Sequence, residues 1–258
     1  IKMNSEEIKN FAISKTPHIT PIEHKFFYRH DVLEFLNDQG CVGIELGVAG
    51  GHYSDRMMKS GKFKKFYGVD LYEDYHDTAE YIRALKLVGL EKNYVLLRMS
   101  FDEALELFDD NYFDFIYFDG YAHTGEEGGK SFKDWFKKLK VGGLFAGDDY
   151  HEDWPIVKWA VNDMVSQIGC DLHVTGKREF TNLNHYPSWF FKKVSEANFT
   201  TNPDLRILGE LIRKSTRKST KPISVTKEQL FALINAWLEK VPENRIELID
   251  LVSKSFEK

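Results

Sequence analysis

The chain has 258 residues, with 40 acidic against 35 basic side chains and a formal net charge of -5. That length buries one sizeable core and favours one elaborated domain over two. The negative balance argues against a general nucleic-acid binder, whose affinity comes from neutralising phosphates. No run of about 18 apolar residues occurs, so no membrane-spanning helix is expected.

From the start, Ile1 to Asn10 is polar and lacks the apolar stretch of a signal peptide. Cys41 and Cys170, the only two cysteines, border apolar segments and read as buried thiols rather than a disulfide or metal pair, which is compatible with the cytoplasm. Thr20-Pro21 offers a capping residue followed by proline at a first helical position, and Phe26, Phe27, Val32, Leu33 and Leu36 follow. A helix from Ile22 to Asn37 is expected, packed against the first strand or over a ligand.

Val42-Gly43-Ile44-Glu45-Leu46-Gly47-Val48-Ala49-Gly50-Gly51 is an apolar strand running into a glycine-rich turn, and His52 to Lys59 begins a helix. Glycines there let a bulky ligand lie against the main chain, where a Cβ would collide. The next strand, Lys65 to Val69, ends in Asp70, a position from which a carboxylate reaches both hydroxyls of a ribose. Two ligand classes use this geometry. A nicotinamide dinucleotide brings a pyrophosphate to the turn, which the Glu45 carboxylate would repel. S-adenosylmethionine brings a sulfonium and an ammonium instead, and Glu45 then becomes favourable.

Tyr94 to Arg98 reads as a third strand, followed by a turn at Met99-Ser100-Phe101-Asp102. Phe113 to Phe118 reads as a fourth, apolar almost throughout as a strand covered on both faces should be, and it ends in Asp119-Gly120. Leu139 to Asp149 reads as a helix end, Gly142-Gly143, a fifth strand and the acidic pair Asp148-Asp149. Trp154 to Ile168 is a helix, and Leu172 to Thr175 and Ser188 to Lys193 are the last two strands.

These motifs resemble the Rossmann-like (class I) S-adenosylmethionine-dependent methyltransferases. Their first motif is acidic-x-Gly-x-Gly-x-Gly; Glu45, Gly47 and Gly51 match it, while Ala49 stands at the middle glycine, which an alanine fills comfortably only with a negative φ. The resemblance runs through most of the first two hundred residues. It implies an α/β fold with a mostly parallel sheet and an antiparallel last strand. Within the family, the Asp119-Gly120 pair, the nearby His123 and the acid-ended fifth strand look most like the macrocin O-methyltransferase-like group of small-molecule and sugar methyltransferases, some of them Mg-dependent. The resemblance implies cofactor contacts from Glu45, Gly47, Ala49, Gly51, Tyr53, Asp70, Leu71, Ser100, Phe101 and Asp119.

The organisation expected is an N-terminal helical segment over residues 1–38, a cofactor-binding core over 39–195 and a helical extension over 196–258. Three helical patterns fill that extension: Leu205, Leu208, Leu211 and Ile212; Leu230 to Leu238, with Thr226-x-x-Gln229 as a capping box; and Ile246 to Phe256. They pack on the core, or form a dimer contact or a substrate lid. Arg213, Lys214, Arg217, Lys218 and Lys221 make a basic run that is either a solvated face or an attraction for an anionic substrate.

Methyl transfer to oxygen needs the oxygen, carbon and sulfur nearly in line and a less basic acceptor oxygen, through a base or a divalent cation. Asp119, Asp148 and Asp149 are the candidates to hold Mg²⁺, all at carboxyl ends of strands, where open α/β sheets bind ligands. Asp148 and Asp149 share one ion only if the strand has already ended at Gly147. His123 is the candidate base with Asp119 beside it, and His151 is in reserve. The acceptor expected is small and polar: a sugar, a nucleotide-linked sugar or a polysaccharide substituent. A nicotinamide-dependent oxidoreductase and a non-catalytic S-adenosylmethionine-binding protein are the alternatives.

Overall fold

Strands form where the apolar runs are densest. The computed structural model describes residues 5–36, 39–73, 77–120, 129–178 and 185–216. Eight strands make one sheet: β1 (Ile22–His24), β2 (Cys41–Leu46), β3 (Phe63–Asp70), β4 (Tyr94–Arg98), β5 (Phe113–Phe118), β6 (Leu139–Gly147), β7 (His173–Thr175) and β8 (Trp189–Lys192), in the order β1-β7-β8-β6-β5-β2-β3-β4. Only β8 runs against its neighbours β6 and β7; the other pairs are parallel. The α/β class and the antiparallel last strand are as expected from sequence.

Along β5, Phe113, Ile116 and Phe118 enter one apolar core while Phe115 and Tyr117 enter the other, so both faces of the sheet are covered. Helices α1 (Ser5–Lys15), α5 (Lys130–Lys138) and α6 (Pro155–Ile168) bring Phe11, Phe132, Trp135, Phe136, Trp159 and Val161 to the first face. Helix α2 (His52–Lys59) and a 3-10 turn (Asp31–Phe35) bring Tyr53, Met57, Val32 and Leu33 to the second. Helices α3 (Thr78–Ala84) and α4 (Phe101–Leu105) complete the connections, and α7 (Pro203–Thr216) packs on α6 and α1 through buried Leu205 and Leu208. Pro155 opens α6, where its missing N–H costs nothing. No helix among the described residues is long and apolar enough to cross a membrane. The second and third helical patterns of the C-terminal region lie outside the described residues.

The helix expected from Ile22 to Asn37 does not form. Ile22, Glu23 and His24 pair in register with His173, Val174 and Thr175, adding an edge strand, and helical turns begin only at Asp31. Phe26 is 78% exposed, so the apolar spacing counted as one helical face is not a face at all. His24 prefers the sheet edge, where its Nε2 lies 2.9 Å from His173 Nδ1 and its ring packs on Phe27, Phe35 and Phe190.

Candidate active site

The turn between β2 and α2 is shaped by three left-handed residues. Gly47 has φ +103, and a Cβ there would lie 2.6 Å from Gly120 N and 2.7 Å from the Asp119 carbonyl carbon, so both conformation and space demand glycine. Gly51 follows at φ +86. Ala49 has φ +47, which corrects the expectation of a negative φ. The strain, about 1 kcal/mol for a side chain in this region, is held by contacts on both sides of the residue. Ala49 N donates to Asp70 Oδ2 at 2.9 Å, and Tyr72 Oη donates to Ala49 O at 2.8 Å.

Asp70 ends β3 and is the keystone of that turn. Its Oδ2 accepts from Val48 N and Ala49 N, both at 2.9 Å, and its Oδ1 accepts from Tyr72 N at 3.1 Å. Three of a carboxylate's four acceptor sites are thus taken, which leaves one, on Oδ1, for a ribose hydroxyl. Leu71, next along, is half-buried.

Other residues expected at the cofactor do structural work first. Glu45 points into the interior and accepts a hydrogen bond from Ser54 Oγ, which in turn lies 2.9 Å from Tyr94 Oη. Burial, and then Asp119, push the Glu45 carboxyl well above its ordinary range, against the opposing pull of Ser54 and Arg29. Tyr53 is buried too, its ring stacked on Tyr117 with centroids 4.1 Å apart. Ser100 caps α4, exchanging hydrogen bonds with Glu103 as a capping box. Phe101 stands edge-on to Phe118 and against Gly120, whose added Cβ would meet it at 2.9 Å.

On the other side of the turn stand the acidic strand ends. Asp119 N donates to Leu46 O at 2.8 Å, which fixes Asp119 against the base of the glycine turn, and Asp148 N donates to Phe118 O at 2.8 Å. Strand β6 does end at Gly147, and Asp149 takes a left-handed backbone with φ +62. Between the carboxylates lies a residue that pattern reading did not single out. Arg29 Nη1 is 3.1 Å from Asp119 Oδ2 and 3.5 Å from Asp148 Oδ2. Its guanidinium carbon is 4.7 Å from the centre of the Tyr53 ring, and its carbonyl accepts from Tyr53 Oη at 3.5 Å. Ser188 was also missed as a functional residue; its Oγ donates to Asp148 Oδ1 at 3.0 Å and lies 2.9 Å from Tyr117 Oη. Neither residue carries a local signal, because each acts through partners far away in sequence.

This arrangement does not fit the expected Mg²⁺ held by Asp119, Asp148 and Asp149. One guanidinium nitrogen already faces Asp119 and Asp148, and the second Asp148 oxygen serves Ser188. Among the described residues no three His, Cys, Asp or Glu side chains converge as metal ligands. The acceptor base expected at His123 lies outside the described residues. His151 is held against Asp153 and the Tyr186 ring.

The charge balance of the site suits a cationic ligand. Glu45, Asp119, Asp148 and Asp149 act on one another here, with Arg29 as the cation that opposes them. Burial, then Asp148 and Asp119, push the Asp149 carboxyl up to about 8, opposed by Arg29. Burial also raises the Asp148 carboxyl, against the lowering effect of Arg29 and its hydrogen bonds. Burial works against the charge on Arg29, but Asp119, Asp148 and Glu45 outweigh it and keep the guanidinium ionised. A sulfonium or an ammonium beside the glycine turn would favour the ionised form of these carboxyl groups, whereas a pyrophosphate would oppose it.

Comparisons with known proteins agree with this geometry. Residues 44–150 match the family model described as a methyltransferase domain. No curated protein matches the chain. Among solved structures, cofactor-bound Rv0187 from MTB superimposes with a TM-score of 0.50 at 11% identity, over 74% of this chain and 88% of that one. Spermidine synthase from Thermotoga maritima gives 0.49 at 16% identity, over 81% and 70%. An S-adenosylmethionine-dependent methyltransferase from Mesorhizobium loti gives 0.36 at 19% identity, over 46% of this chain and 52% of that one, so the chain spans about half of its length. At such identities the likeness is one of fold. The stretch matched by the family begins within β2 and ends just past Asp149, so the part of the chain that is similar to a methyltransferase domain encloses the turn and both carboxylate-bearing strand ends.

Proposed function

We propose that this protein transfers a methyl group from S-adenosylmethionine to an oxygen of a small polar acceptor, such as a sugar, a nucleotide-linked sugar or a polysaccharide substituent. Within the family it would stand with the macrocin O-methyltransferase-like group. The observation that carries this reading is the contact between the two halves of the site: Asp119 is hydrogen-bonded through its backbone to Leu46, the residue before Gly47. An acceptor held by Asp119 would therefore lie next to whatever rests on the glycine turn.

S-adenosylmethionine, when bound, supplies the methyl group on a sulfonium. The chain's own task is to hold the acceptor oxygen in line and to take its proton. The turn at Gly47, Ala49 and Gly51 would seat the cofactor, and Asp70 would add a ribose hydroxyl to the three backbone N–H groups it already accepts from. Asp119 would orient the acceptor hydroxyl, and His123, four residues on, would receive its proton. Mg²⁺ has no part in this reading, because Arg29 faces the carboxylates that would have bound it.

The test is a screen of hydroxylated acceptors with methyl-labelled cofactor, alongside calorimetric titration with S-adenosylhomocysteine. Micromolar binding of the product and label transfer to a hydroxyl are expected. Binding of NADH with no response to S-adenosylhomocysteine would overturn the reading altogether, and label transferred only to amines would overturn its oxygen-acceptor part.

A further inference from the structure

Arg29 lies outside the matched stretch of residues 44–150, yet it reaches the centre of the site from the segment between β1 and the 3-10 turn. Its side chain keeps only 9% of its surface exposed, and Asp148 only 6%. A cation so buried requires compensating partners. The partners form a closed circuit. Arg29 faces Asp119 and Asp148, Asp148 accepts from Ser188, Ser188 meets Tyr117, Tyr117 stacks on Tyr53, and Tyr53 both underlies the guanidinium and donates to the Arg29 carbonyl. The carboxylates of two neighbouring strand ends are thus held at fixed separation by a group of the chain itself.

We propose that Arg29 is the resident cation of this site, a positioning residue that stands where a divalent ion would bridge the ends of β5 and β6 and so makes the enzyme independent of added metal. A guanidinium offers several donors in a plane and stays charged at any working pH, which suits it to hold two carboxylates without being titrated away. It differs from a metal ion in one respect. It has no vacant coordination position for an acceptor oxygen, so it orients Asp119 rather than binding the acceptor directly. This rests on the methyl-transfer reading for its catalytic part only.

The test compares wild type with Arg29→Lys and Arg29→Ala, using three readouts: Mn²⁺ binding and S-adenosylhomocysteine binding by calorimetry, and turnover with and without chelator. Wild type should bind no Mn²⁺ at this site and keep its turnover in chelator. Arg29→Ala should expose Asp119 and Asp148, gain one Mn²⁺ equivalent that is lost again on adding Asp148→Asn, and lose about 10- to 100-fold in kcat, the range for groups that orient the residues around a reacting centre. Arg29→Lys keeps the charge without the fork, so it should exclude Mn²⁺, lose kcat to a smaller degree and leave the KM for cofactor nearly unchanged. If Arg29→Ala does not fold, Arg29→Lys still decides. A lysine variant that binds Mn²⁺ no differently from wild type but retains full kcat would overturn the positioning role. A stoichiometric Mn²⁺ site in wild type, abolished by Asp148→Asn, would overturn the resident-cation role. Failure of every variant, wild type included, to bind S-adenosylhomocysteine would instead strike the proposed function, while the Mn²⁺ readout would still stand.

Discussion

The two halves of the site are built on different scales of chain. On the glycine-turn side, Asp70 holds the turn at Val48 and Ala49, partners only 22 and 21 residues away. On the strand-end side, Arg29 meets Asp119 and Asp148 across separations of 90 and 119 residues, and Ser188 meets Asp148 across 40. One half is a local strand-turn-helix-strand unit whose geometry is written in consecutive residues. The other exists only after the whole sheet has closed. The first should therefore tolerate little substitution within itself, whereas the second should be sensitive to anything that shifts a distant segment.

The largest effect expected is that of Gly47→Ala. The new Cβ would press into the backbone of Gly120 and Asp119, neither of which is a flexible side-chain end, in a backbone conformation hostile to alanine. Loss of S-adenosylhomocysteine binding by 100-fold or more is expected, with destabilisation of about 3 kcal/mol or more, by analogy with overpacked cores. Near-normal affinity in this variant would mean that the turn is free to re-form, and the contrast between the halves would fail.

Asp70→Ala should come next. It strips the acceptor from three backbone N–H groups, and hydrogen bonds to charged groups contribute about 1.5–3 kcal/mol each net of exchange with water. A loss of about 2–4 kcal/mol in cofactor binding is expected from calorimetry. A variant that loses stability but binds with unchanged affinity would assign Asp70 to the turn alone.

The smallest effect on ligand binding is expected on the strand-end side, from Asp149→Asn, and its signature is instead a stability that depends on pH. With the Asp149 carboxyl raised to about 8, the folded chain binds more protons than the unfolded chain above the ordinary carboxylate range. Stability then falls as pH rises from about 4 towards about 8, where the buried carboxyl is half ionised. Asparagine cannot ionise and accepts a left-handed φ readily. Its gain over wild type should therefore be near zero at pH 4 and exceed about 1 kcal/mol, the equivalent of less than one pKa unit, by pH 8. Denaturant titrations across that range giving a constant offset would show that Asp149 is not held protonated by its surroundings.

The same division explains what could be read before folding. Five central strands and the antiparallel last strand announce themselves by apolar runs and by what ends them: Asp70, Asp119 and Asp148 each follow the last apolar residue of a strand. The turn was legible because glycine is required there for reasons that do not depend on the rest of the molecule. Ala49 defied that reading because its strain is held by Asp70 and Tyr72, whose contacts are tertiary. The segment from Ile22 misled because Phe26 faces solvent beside Lys177, 5.7 Å from its ring centre, and apolar spacing alone cannot separate a solvent-facing phenylalanine from a buried one. Arg29 was hidden inside that misread segment, and Ser188 inside a turn whose neighbouring tryptophan and phenylalanines drew attention to packing.

Strand β1 occupies the far edge of the sheet, paired only through Ile22, Glu23 and His24. Its place beyond β7 makes it a dispensable-looking appendage to anyone trimming the chain to its recognised stretch. Yet those three rungs and the 3-10 turn are the two moorings between which Arg29 is slung, so an excised fragment spanning only 44–150 would keep Asp119, Asp148 and Asp149 while losing their counter-charge. Such a fragment would have a different appetite for metals, a different acidity and a different ligand preference from the parent, although every matched residue would be retained. Homology boundaries and chemical boundaries do not coincide in this molecule, and shuffling the recognised stretch between scaffolds would carry over the turn but leave the other half of the site behind.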